Sequence, residues 1–473
     1  MVFSSVTFLT IFMPFTILLY FVPNIFRKAR ISTFAVKYKN LLLLAVSLLF
    51  YAWGEPRNIV LMLLSIIFNF TVALHMDLYE QGKTNRKLLM ALALVFNLGL
   101  LAFFKYSGFV ADNVSSIFGF TSSYVSPVLP IGISFYTFQI LSYVIDVYRK
   151  RCEVQKSITD FALYISMFPQ LIAGPIVQYS QIEKELKNRA ESFSKVSEGL
   201  FRFIVGLFKK TVLANSCGAV FDEIISGGVG NLSSALSWTG IIFYAFQIYF
   251  DFGGYSDMAI GLGGIFGFTF PQNFNHPYIA TSITDFWRRW HITLSSWFRD
   301  YVYIPLGGNR CSKIRHVFNL FVVWSLTGLW HGASWNFILW GVYYFVLLTL
   351  EKYVLNKVID KLPVILRRLI TFVLVLFGWV LFSMTDLSEV LGYFMSLFGI
   401  NGIYSSGDFY IIGSNFSMAL IAGVISTGVF SFSTENEKNA VKILRYLLAL
   451  VLLVISIIFL IGDTYNPFLY FRF

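Results

Sequence analysis

Charge is scarce in this sequence. Asp, Glu, Lys and Arg make up 13% of its 473 residues, about half the share found in soluble domains. That excludes a water-soluble enzyme, and the apolar content excludes a disordered tail. Cysteine is scarce too: Cys152, Cys217 and Cys311 have no CxxC spacing, which excludes a secreted disulfide scaffold and reads as free thiols. The five histidines, His75, His276, His291, His316 and His331, form no HExxH or similar pattern, so no metal is expected. There is no internal repeat and no low-complexity linker, so a single domain over 1–473 is the simplest reading.

Apolar and aromatic side chains dominate. Hydrophobic residues make up 57% and aromatic residues 19%, with 52 Phe, 26 Tyr and 10 Trp, and the mean hydropathy is +0.69. Such a chain needs lipid around it, and the expected class is an all-α polytopic membrane protein. Clear apolar runs lie near 5–26, 40–54, 58–75, 88–106, 128–147, 236–250, 317–330, 334–350, 366–384, 411–430 and 444–462. Broken ones lie near 159–178, 200–222, 256–270 and 388–400. The expectation is about ten to twelve spans plus re-entrant or interfacial pieces.

The net charge of +11 follows from basic cytoplasmic loops rather than from nucleic-acid binding. Basic clusters at Arg27–Lys39, Lys83–Lys87 and Arg149–Lys156 alternate with nearly neutral loops near 54–57 and 107–127. That alternation puts the N-terminus outside. The opening MVFSSVTFLT lacks a basic n-region and a cleavage site, so it reads as a first membrane helix. Ala173-Gly174-Pro175 interrupts the 159–178 run, which is therefore a candidate to enter and leave on one side.

Three interruptions of apolar sequence carry candidate chemistry. The first is 282–308, SITDFWRRWHITLSSWFRDYVYIPLGG. Ser282 or Thr284 can cap a helix and Asp285 suits its first turn. Phe286, Trp290, Leu294, Trp297 and Tyr301 share one face, with Arg288, Arg299, Ser295 and Ser296 opposite and His291 at the border. The pattern predicts one continuous helix lying in the membrane interface, either structural or lining a site. The second is Trp330-His331-Gly332 within 323–340. An ionisable group at membrane depth defaults to a functional hypothesis, and a neutral imidazole can take a proton from a hydroxyl. The alternative is a histidine that packs helices. The third is YFDFGGYSDMAIGLGGIFG, where Asp251 and Asp257 must be paired, hydrated or protonated. Its glycines allow close helix packing and do not follow a strand as a dinucleotide motif would. In the 128–147 run, Ser134, Tyr136, Thr137, Gln139 and Ser142 either line a cavity or bond neighbouring helices. The last residues, 463–473, are aromatic: either an interfacial anchor or a tethered tyrosine that accepts an acyl group, phenol being a better leaving group than an alkyl alcohol.

These residues resemble a known family. MVFSS, LPIGISFYTFQILSYVIDVYR, YFDFGGYSDMAIGLG, FNHPYIATSITDFWRRWHITLSSWFRDYVYIPLGGNR and LTGLWHGASWNFILWG are similar to membrane-bound O-acyltransferases of the AlgI/PatA type, which O-acetylate bacterial exopolysaccharide or peptidoglycan. The resemblance covers nearly the whole chain and implies that family's fold. It implies that His331 in LWHGA is the catalytic histidine and His291 in RRWHI the second family histidine. FLYFRF at 468–473 is similar to the FIYFRF-type ending of a small protein that assists teichoic-acid D-alanylation, which implies Tyr470 as acyl carrier. The implied donor is a cytoplasmic thioester such as acetyl-CoA, with no bound cofactor. Arg288, Arg289 and Arg299, with Trp287 and Trp290, are the expected donor-binding set; Arg310 and Lys313 add charge, although a solvated positive-inside face accounts for the cations equally well. Asp251, Asp257, Trp330 and Gln139 are expected to line the cavity. An extracytoplasmic SGNH-type esterase partner and the bilayer complete the expectation, in the bacterial cytoplasmic membrane. Composition alone leaves open a polysaccharide or lipid transporter, or an acyltransferase with a lipid or protein acceptor.

Overall fold

A computed structural model of the chain describes residues 2–25, 33–79, 83–121, 123–172, 174–189, 191–429, 439–462 and 466–469. Every regular element among them is helical. Among the described residues, eight helices are long and apolar enough to cross a membrane: Phe34–Gly54, Ile59–Leu78, Asn85–Phe118, Phe193–Ile225, Trp335–Leu355, Val364–Ser383, Asp408–Ser426 and Ala440–Gly462. Phe8–Asn24 and Leu387–Leu397 are shorter apolar helices. Large apolar side chains such as Val95, Leu98, Phe103, Leu444, Leu447 and Leu450 stay exposed on these helices. A soluble fold rarely leaves such stretches bare; in a bilayer they face lipid.

The chain forms two compact units, residues 1–203 with 257–271, and 204–256 with 272–473. In the first, helix Ile133–Tyr148 is shorter than the 128–147 run suggested, and its residues from Ile133 to Val147 are all buried. The 159–178 run breaks earlier than Ala173-Gly174-Pro175, of which Ala173 lies outside the described residues. Helix Ile158–Ser166 stops at Met167 and a short turn, Phe168–Leu171, follows. Pro169 explains the stop, because it has no N–H to give and its ring collides with the carbonyl four residues back.

Two further expectations change. The runs 236–250 and 256–270 are one helix, Ser234–Ile265. Its glycines do not end it because they are contact points. A Cβ on Gly261 would strike the Gly199 carbonyl, and one on Gly254 would strike the carbonyl of Gly206. The expected continuous helix over 282–301 is in fact two, Ile283–Arg289 and Ile292–Phe298, followed by a π-helical turn, Arg299–Tyr303.

Candidate active site

The break falls at His291, which has φ 44° and ψ 53°, a left-handed conformation rare for a residue with a Cβ. Upstream residues hold it there. Asn275 N–H donates to the Arg289 carbonyl at 2.9 Å, and Ile292 N–H donates to the Asn273 carbonyl at 2.9 Å. The Asn273 side-chain carbonyl accepts from Thr293 N–H at 3.2 Å and from Thr293 Oγ1 at 2.9 Å. Both arms of the break are thus tied to one loop. Ser282 caps the first helix, accepting from Asp285 N–H at 3.1 Å. Glu351 adds a carboxylate cap from a distant helix, accepting from Ile283 N–H at 2.6 Å and Thr284 N–H at 3.1 Å.

Consequently His291 is not at the edge of an exposed helix. It is 3% exposed and lies outside the candidate spans. Burial pushes its imidazole down to about 3, because desolvation penalises the charged form. It acts as a neutral ring.

His331 ends helix Lys313–His331, and the chain returns as Trp335–Leu350. The two helices touch backbone to backbone. A Cβ on Gly328 would meet the Phe337 carbonyl, and one on Gly341 the Trp324 carbonyl. Small residues at a crossing allow this approach. Gly332 is fixed by space, since a Cβ there would enter the Phe337 ring. The His331 ring is boxed by Trp340 at 5.0 Å, Phe382 at 5.1 Å and Phe337 at 6.4 Å between centroids. Trp330 lies 5.0 Å from His331 and 5.9 Å from His291. One indole therefore separates two buried imidazoles.

An aromatic wall extends from this point. Trp287 contacts Trp324 at 4.7 Å, Tyr344 at 4.8 Å and Trp340 at 5.5 Å. Trp287 Nε1, Trp340 Nε1 and the Tyr344 hydroxyl are buried without a hydrogen-bond partner among the described residues. Buried polar atoms are normally paired, and these three are exceptions among the described residues. Among the described residues no three His, Cys, Asp or Glu side chains group to hold a metal ion.

The expected donor-binding residues divide. Arg288 and Arg299 are exposed, Arg299 gripping Asp300 at 2.8 Å. Arg289 pairs with Asp285 at 2.9 Å. Arg310 and Lys313 are exposed as well. Trp287 and Trp290 are buried instead, Trp290 against Trp379 and Phe274 at 4.8 and 5.0 Å. Asp251 is paired with Lys210 at 2.7 Å, both side chains 2% exposed. In the other unit Asp257 pairs with Arg202 at 2.9 Å, and Gln139 is buried with both amide atoms unpartnered among the described residues. Tyr470 lies outside the described residues. Asn273, Glu351 and Lys210 were missed. Their signals were an Asn-rich PQNFNHP loop, a lone Glu at the end of an apolar run, and a Lys-Lys pair inside 200–222.

The sequence pattern of MBOAT, the membrane-bound O-acyltransferase family, matches residues 150–396, which include both histidines. This chain belongs to that family. It is therefore a multi-pass membrane acyltransferase, and the transporter reading falls. Among proteins similar to it, the "Probable alginate O-acetylase AlgI" of Azotobacter vinelandii is 39% identical over 84% of this chain and 78% of its own length. The protein of that name from Pseudomonas putida is 35% identical over the whole of both chains. The "Peptidoglycan O-acetyltransferase" of Helicobacter pylori is 33% identical over all of this chain and 98% of its own. The acyltransferase family thus enters with an acyl donor implied by its chemistry, and the aromatic-walled histidine pair falls inside its matched region.

Proposed function

We propose that this acyltransferase moves an acetyl group from a cytoplasmic thioester, such as acetyl-CoA, to hydroxyls of a polysaccharide outside the bacterial cytoplasmic membrane. The observation that carries it is the pair of buried imidazoles flanking Trp330, beside an aromatic wall with unpartnered N–H and O–H groups. The polymer acceptor is supported by relatives named for alginate and peptidoglycan acetylation.

His331 is the general base. In the first transfer the Tyr470 hydroxyl gives its proton to His331 as its oxygen attacks the thioester carbonyl. The carbon–sulfur bond breaks, and the thiolate leaves and takes up that proton. The product is an acyl-tyrosine and a free thiol. His291, neutral, orients or polarises the thioester carbonyl. In the second transfer a polymer hydroxyl displaces the tyrosine phenol, aided by a secreted SGNH-type partner. Arg288, Arg299, Arg310 and Lys313, all exposed, attract the donor's phosphates. Trp287 and Trp290 pack behind the donor site. The relay needs the N-terminus and residue 470 outside.

Intact mass of the 463–473 peptide, from active and His331→Ala protein, tests the scheme. The expected result is one acyl group on Tyr470 in the active protein and none in the variant. A tag after residue 473 that is labelled only from the cytoplasm would remove Tyr470 from the scheme.

A further inference from the structure

Asp251 and Lys210 form a buried ion pair inside an apolar unit, and ions at membrane depth are costly enough to need a reason. Their remaining partners supply one. The Lys210 ammonium has three N–H groups. Its nitrogen pairs with Asp251 Oδ1 at 2.7 Å, and it donates to Asn215 Oδ1 at 3.0 Å and to the Pro467 carbonyl. Asp251 Oδ2 accepts from Leu469 N–H at 2.9 Å. Asn215 Nδ2 donates to Asn466 Oδ1 at 3.3 Å. Between these bonds the Phe468 ring stacks on Tyr255 at 4.8 Å and on Phe252 at 6.2 Å. Proline has no N–H, so Pro467 leaves no backbone donor unsatisfied. Segment 466–469 therefore presents an acceptor to the cation and a donor to the anion, in matching order.

The local structure builds this cradle. Lys210 lies in a π-helical turn, Lys209–Ala214, and such turns are often found at functional positions. Gly254, three residues after Asp251, lets that turn come close: a Cβ there would meet Lys210 N at 3.0 Å.

We propose that Lys210, Asp251 and Asn215 are positioning residues that clamp segment 466–469, so that Tyr470, one peptide bond further on, is presented for acylation. This purpose rests on the acyl-tyrosine reading above; the clamp does not. The pair reads the polarity of the tail backbone, so its orientation matters as well as its charge.

The test uses the full chain in lipid nanodiscs. Lys210→Asp with Asp251→Lys keeps the pair neutral overall but sets a carboxylate against the Pro467 carbonyl and an ammonium against Leu469 N–H. Lys210→Met with Asp251→Leu is the second variant, should the inverted pair fail to fold. Hydrogen exchange of the 466–469 amides and the acyl state of Tyr470 are read together, with acetyl-CoA as the donor. The expected result, with exchange in the other helices unchanged, is that tail exchange speeds up by about tenfold or more. Tyr470 acylation falls to a similar degree, while thiol release by hydrolysis of the donor persists. Unchanged tail exchange in a folded variant overturns the clamp, whatever the state of Tyr470. Loss of tail protection in the variant, with Tyr470 bearing no acyl group even in the unaltered chain, overturns the positioning role and the relay together while the contact itself stands.

Discussion

Around His331 the buried polar atoms of Trp287, Trp340 and Tyr344 are left without partners and ringed by aromatics, whereas 210, 251 and 466–469 meet one another group for group. Both places lie in the same unit and both exclude water. The difference is what each awaits. In the proposed reaction an unpartnered N–H or O–H in the aromatic box is available to an atom that arrives from elsewhere. The ion pair already holds a ligand, which here is the chain itself. Under the proposed function, one region meets reactants and the other holds the tail.

Substitutions that remove one function and leave the other sharpen this contrast. The largest effect belongs to His331→Ala, which should lower acyl transfer by about 10²–10⁴-fold with the tail amides as protected as before. Polymer-bound acetate, released by base and quantified, is the measure; near-normal acetate would take His331 out of the mechanism. Lys210→Met alone should act through stability, since it strands Asp251 as a buried charge at a cost of about 3–5 kcal/mol. Thermal unfolding in detergent should show that loss, with most of it recovered when Asp251→Leu is added.

Gly332→Ala comes next. Its methyl group must displace the Phe337 ring, at about 1–3 kcal/mol for an overpacked site. Because that ring also faces His331, turnover should fall more than donor affinity, and a change in KM alone would contradict the packing described. His291→Asn is the mildest, since Asn tolerates the left-handed backbone. His291 in the folded chain sits at about 3 against 6.5 for an ordinary histidine. The folded state therefore binds fewer protons, and His291 erodes stability as pH falls from about 6.5 towards 3. The Asn variant should lose less stability over that window, and an identical pH profile would mean that His291 is not held neutral.

Much of this was legible where the signal is local. Ser282 caps the helix it precedes, the glycines of 253–264 are helix contacts, and Asp251 was bound to need a partner. The 331–332 interruption marks the turn between two apolar helices because Gly332 follows His331 directly. What was hidden depends on distant residues. The apolar spacing of 286–301 runs on through His291, and only the bonds from Asn273 and Asn275 break it. Glu351 caps a helix 68 residues earlier. Trp287 and Trp290 share the predicted apolar face and both pack on Phe286, yet their other neighbours, Trp324 and Tyr344 for the one and Trp379 and Phe274 for the other, come from distant parts of the chain.

The tail contact also bears on how the protein is made. Leu469 follows Asp251 by 218 residues, which at roughly 5–20 residues per second means some ten to forty seconds of synthesis. During that interval Lys210 lacks the Pro467 carbonyl and Asp251 lacks the Leu469 N–H. A chain that stops short of Leu469 would keep a buried charge pair without two of its hydrogen-bond partners.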